Sequence, residues 1–109
     1  MCSVLYKYRD HSDEYLVYDM KKNEEQVDAG KARFFFSQNF GLAASGILAG
    51  PFVKNGRVSM MLFTPEGREE TPKGTSELFE QAFLQDAGYV CSSAPSDHDI
   101  SFAGKVFVF

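Results

Sequence analysis

Apolar and polar residues alternate over residues 3–8, with Val4, Tyr6 and Tyr8 set against Ser3, Leu5 and Lys7. A period of two predicts a half-buried strand. Asp10, His11, Ser12 and Asp13 make a polar turn, and residues 15–18 read as the return strand of a hairpin. Residues 20–26 are charged and without period, which predicts a solvated connection. Asp28 can accept the first free N–H groups of a helix over residues 29–38, with Ala32, Phe35 and Phe36 on one face and Phe34 widening it. Gly41 suits the end of that helix. Gly46 precedes a short strand at Ile47 and Leu48, and Gly50-Pro51 is expected to turn the chain. Asn55-Gly56, between Phe52-Val53 and residues 58–63, is a strong hairpin signal.

Residues 60–63 end a strand, and Pro65-Glu66-Gly67 forms a tight turn. A loop around Gly74 then feeds a helix over residues 75–87 that stops at Gly88. Leu78, Phe79, Ala82 and Phe83 form its apolar stripe, with Glu80, Gln81 and Gln85 outside it. Tyr89-Val90 is strand-like and residues 92–99 are a polar loop. Residues 100–102 and 106–109 suggest a last hairpin around Ala103-Gly104-Lys105. No repeat or linker interrupts the chain. The pattern predicts an α+β domain with antiparallel strands against one main helix and a second, shorter one.

Composition narrows this picture. A chain of 109 residues makes a single domain, and 44% apolar and 15% aromatic residues are those of a folded protein. The net charge is −4 with no basic stripe, so nucleic acid is not an expected partner. Apolar runs are far shorter than the ~20 residues that cross a bilayer, so no membrane association is expected. The opening MCSVLYKYRD lacks the pattern of a secretory signal, and the expected location is the cytoplasm. Cys2 and Cys91 are then expected as free thiols.

Three stretches carry a resemblance. Residues 61–90, MLFTPEGREETPKGTSELFEQAFLQDAGYV, run strand, turn, loop, helix. They resemble the first half of diaminopimelate epimerase, an amino-acid epimerase that works without pyridoxal phosphate. There a strand leads to an Asn-Pro-Asp-Gly-like turn, then to Cys-Gly-Asn-Gly, then to a helix that ends before a glycine. Without a gap, Lys73 falls on the catalytic cysteine, Gly74 on the first glycine, Thr75 on the asparagine, Ser76 on the second glycine and Gly88 on the glycine that ends the helix. Residues 7–19, KYRDHSDEYLVYD, resemble the family's opening, with Arg9 for its histidine, Asp13 for its substrate-contacting asparagine and Glu14 for its aspartate. Residues 39–48, NFGLAASGIL, resemble a further segment in which Ala43 and Ser45 replace a glycine and an aspartate. Order and spacing agree over about residues 6–109.

The resemblance implies a fold: a strongly curved, barrel-like mixed sheet wrapped around a central helix. It also implies a chemistry that this chain does not supply. Epimerising an amino acid takes two acid/base groups flanking one carbon. In the family both are thiols, one from each of two similar domains, each near a helix N-terminus that lowers its pKa. Here there is one such domain and Lys73 where the thiol belongs. The implied protein is a stand-alone, catalytically inactive half without a cofactor. It would hold a small anionic or amino-acid-like ligand at Lys73, Gly74, Thr75 and Ser76, facing Asp13 and Ser45, and pair as a homodimer that imitates the two-domain enzyme. One alternative is an isomerase completed by a second copy or a homologous second half, with Lys73 and Asp13 as acid/base groups. Another is a protein-interaction module.

Each candidate residue also has a plainer account. Lys73 beside a helix start could be a base of depressed pKa or a solvated loop lysine. Asp13 and Glu14 with His11 could suggest a metal, but no second ligand cluster stands at usable spacing, so no metal is expected. Thr75 and Ser76 can bind an anion or cap the helix. Ser45 has no paired base nearby in sequence. Cys91, in or just after the strand-like Tyr89-Val90 pair, is read as a quiet packed or semi-exposed thiol, and His98 as a loop residue.

Overall fold

The computed structural model describes residues 3–23, 28–37, 44–90 and 99–108. Within them the order is β1 (Ser3–Arg9), β2 (Glu14–Asp19), α1 (Ala29–Ser37), β3 (Gly46–Lys54), β4 (Arg57–Phe63), β5 (Glu69–Glu70), α2 (Thr75–Asp86) and β6 (Ser101–Val108). The six strands form one mixed sheet in the order β5-β4-β3-β2-β1-β6. β2 and β3 run parallel, with α1 in the connection, and every other pair is antiparallel. The sheet is open, with β5 and β6 at its edges.

Local chemistry accounts for the turns. Asp10 Oδ1 accepts the N–H groups of Ser12 and Asp13 at 2.7 and 2.6 Å, closing the first hairpin. Asn55 and Gly56 take φ of 53° and 74°, the two left-handed positions of a tight β-turn. The Asp28 carboxylate accepts the Lys31 N–H at 2.8 Å and caps α1.

The middle strands carry the core on both faces. Residues at even positions of β2, Leu16 and Tyr18, join Ile47, Ala49 and Phe63 against Ala32 and Phe35 of α1. Odd positions, Tyr15 and Val17, join Leu48 and Met60 against Phe79, Phe83 and Leu84 of α2. Successive strand residues point to opposite faces, so the two helices cover opposite sides of the sheet. β2 is accordingly buried along nearly its whole length.

Several expectations change. Gly50-Pro51 does not turn the chain: β3 runs nine residues through it, with an irregular register between Ala49 and Phe52. The last hairpin is one strand: β6 pairs along β1 and is irregular opposite Lys7 and Tyr8. β5, two glutamates beside Leu62 and Phe63, has no periodic signal that sequence could carry. Tyr89 and Val90 are not strand but hydrogen-bond back to the Leu84 carbonyl. Phe34, 48% exposed, lies off the buried face of α1. On α2, Phe79, Ala82 and Phe83 are buried as expected, but Leu78 is 51% exposed and Glu80 only 6%, the reverse of the expectation for those two. The readings at Cys2, Gly41, Ala43, Cys91 and His98 fall outside the described residues.

Candidate functional site

The loop before α2 is tied to the helix by one reciprocal contact. The Ser76 hydroxyl accepts the Lys73 N–H and donates to the Lys73 carbonyl, both at 2.9 Å. Ser76 is buried, and its hydroxyl braces the loop. Gly74 takes φ 62° and ψ −125° at the start of α2, where no side chain among the described residues caps the helix. Lys73, Gly74 and Thr75 are exposed. The first turn of α2 thus offers backbone N–H groups, with Glu77 the acidic residue beside them.

Ser45 lies beside Glu14, the residue after Asp13. The Ser45 N–H donates to the Glu14 carbonyl at 2.7 Å, which extends the β2–β3 pairing by one step and sets Ser45 beside the Asp13-Glu14 turn. Asp13 is half-buried and Ser45 exposed. Tyr15, which pairs with Gly46, packs under Phe79 of α2 with ring centroids 4.6 Å apart. The amino half of α2 therefore lies over the start of β2 and β3. No hydrogen bond or ion pair among the described residues joins Lys73 to Asp13 or Ser45. His11 lies 3.7 Å from Asp99, both well exposed, and no group of three His, Cys, Asp or Glu suited to a metal occurs among the described residues. The two N–H groups on the Asp10 carboxyl hold it below the usual carboxylate range.

A cleft of about 630 Å³ opens next to this loop. Thr71 and Pro72, the β3–β4 hairpin and one side of α2 line it, while Lys73, Asp13 and Ser45 do not. Glu80 stands in its wall, its Oε2 accepting the Met60 N–H at 2.7 Å. Burial raises the Glu80 carboxyl above the ordinary glutamate value, and the Met60 N–H offsets that only in part. The sequence pattern puts Glu80 outside the apolar stripe of α2. The signal that could have found it is spacing: Ser76, Phe79, Glu80, Phe83 and Leu84 stand at i, i+3, i+4, i+7 and i+8, one helical face with two polar members.

No protein-family model matches the chain. Over 86 residues it is 28% identical to diaminopimelate epimerase 2 of Nostoc sp., a stretch covering 78% of this chain and 30% of that relative. The chain thus spans less than a third of that protein's length. What the similarity supports is a distant relationship to that epimerase and, with the mixed sheet and two helices, an epimerase-like α+β fold.

Proposed function

We propose that this chain is a non-catalytic, epimerase-like domain that holds a small amino-acid-like or anionic ligand at the start of α2 and associates with a second copy of itself. In this reading the mixed sheet is the curved sheet of an epimerase half and α2 is the helix it wraps. The observation that carries it is the start of α2: Lys73, which the resemblance puts in the place of the family's thiol, is exposed, and among the described residues its hydrogen bonds are those of its backbone to Ser76. An exposed lysine lacks the closed, desolvated setting in which a lysine serves as a base. The uncapped N–H groups of Thr75 and its neighbours favour an anionic group there. Large apolar side chains left exposed, among them Phe34, Val53, Leu78 and Phe107, are what a second copy would cover.

The test is hydrogen exchange at carbon. Incubated in deuterated water with a panel of amino acids that includes diaminopimelate, the protein is expected to place no deuterium on any alpha carbon. Exchange that disappears in Lys73→Ala would replace this reading with the isomerase alternative. Sedimentation at micromolar concentration is expected to show a dimer, and a monomer throughout would remove the self-association.

A further inference from the structure

A second cleft, about 500 Å³, lies at the carboxyl end of α2 against β1 and β6, within the size range of small-molecule sites. The sheet builds its floor. Tyr6 and Tyr8 point to the α2 side of β1. The irregular register there makes Ala103 an extra residue on β6, so Phe102 stands opposite Tyr8, and Lys105 opposite Tyr6, on that same side. Phe83 of α2 lies 6.3 and 5.9 Å from the Tyr6 and Tyr8 rings, and Phe102 lies 6.0 and 5.7 Å from the same two. Tyr89 joins at 6.0 Å from Phe83. Tyr8 and Phe83 belong to the core, but Phe102 is 48% exposed and Tyr6 and Tyr89 are half-buried. Ring surface is therefore open to the cleft.

The charges around it are uneven. Asp19 is buried, and both its oxygens accept the Tyr89 hydroxyl, at 3.0 and 2.8 Å, while Oδ1 also accepts the Lys21 N–H at 2.9 Å. Burial and that bond to Asp19 push the Tyr89 hydroxyl up to about 12, so it stays a donor at neutral pH. Burial and the Asp86 carboxylate beside it push the Tyr8 hydroxyl up. Lys21 and Lys22 line the cleft too and are exposed. A cationic ligand would meet ammonium groups already over the tyrosine faces, Lys21 at 4.9 Å from the Tyr89 centroid and Lys105 at 6.0 Å from that of Tyr6. A flat ring bearing a negative group meets ring surface and two ammonium groups instead.

We propose that this cleft binds small planar aromatic carboxylates, the ring packing on Phe102 and Tyr6 and the carboxylate reaching Lys21 and Lys22. The site is at the opposite end of α2 from Lys73 and does not depend on what the helix start binds. The chain contains no Trp, so indole emission can be followed against a tyrosine background alone. Titration with indolepropionate is expected to give a saturable blue shift. Tryptamine, with an ammonium in place of the carboxylate, should bind at least about tenfold more weakly to the unmodified protein. Phe102→Ala and the double change Lys21→Gln with Lys22→Gln should each weaken indolepropionate by about fivefold. Phe52→Ala, in the other cleft, should leave it unchanged. No saturable shift, equal binding of the two indoles, or a Phe102→Ala protein that folds and binds as before would each overturn the proposal.

Discussion

Met60 sits where the β3–β4 pairing loses its regular partner. Register passes from Ala49 opposite Met61 to Phe52 opposite Ser59, so Gly50 and Pro51 together face Met60. Pro51 has no N–H, and the Gly50 carbonyl accepts the Met20 N–H at 2.6 Å. The Met60 N–H finds the Glu80 carboxylate instead. Glu80→Ala should therefore lower the unfolding free energy by about 1–3 kcal/mol in urea titration, and Glu80→Gln, which keeps an acceptor, by less. The same carboxyl gives a pH dependence. Its value is raised in the folded state, so the folded protein keeps the proton at a pH where the unfolded chain has released it. That contribution is complete below the ordinary glutamate value and lost as pH rises through the folded one. Urea midpoints followed upward through that window should fall more for the unmodified protein than for Glu80→Gln. At Gly74 an added Cβ would meet nothing among the described residues within 4 Å, so what resists substitution there is its backbone angles. Gly74→Ala should cost about 1–3 kcal/mol, measured by the same titration.

Each helix is held by one face. On α2 the apolar members of that face are Phe79, Phe83 and Leu84, with Ala82 beside them, and Leu78 lies outside it. Leu84→Ala should destabilise by about 2–5 kcal/mol, while Leu78→Ala should change stability by no more than about 0.5 kcal/mol. Thermal or urea unfolding of the two variants checks this directly. Sequence spacing alone permits either leucine to face inward, because residues 78–79–82–83 and 76–79–80–83–84 are both helical stripes. In the fold Leu84 packs and Leu78 does not, and the same rotation brings the Glu80 carboxylate to the Met60 amide. The two sheet edges differ as well. β5 is two exposed glutamates, a short charged edge that discourages pairing, whereas β6 runs eight residues beside β1.

At the scale of the whole molecule, β2 joins two cores. Tyr18 meets Phe35 of α1 at 5.7 Å on one face, and Tyr15 meets Phe79 of α2 at 4.6 Å on the other. Phe35→Ala and Phe79→Ala should each cost about 3–5 kcal/mol. Because both act on one strand, each variant should unfold in a single transition, with circular dichroism and tyrosine fluorescence giving the same midpoint. Separate midpoints for the two probes would show that the faces unfold independently.

What the sequence by itself determined is whatever depends on neighbours a few positions away. The polar turn held by Asp10, the Asn55-Gly56 hairpin, the Asp28 cap and the helix end at Gly88 all follow from local backbone chemistry. So does the α+β class, since periods of two and of 3.6 are read directly from the chain. Tertiary structure decided the rest, because the deciding partner lies far along the chain. Residues 101–108 stay one strand because β1 is there to pair with them, and Gly50-Pro51 lies inside a strand because Met20 and Glu80 supply or receive the bonds that strand neighbours would. The same holds for chemistry. A short motif placed Lys73 at a helix start, but which charges line each cleft follows from how α2 lies across the sheet, and that is a property of packing between distant segments.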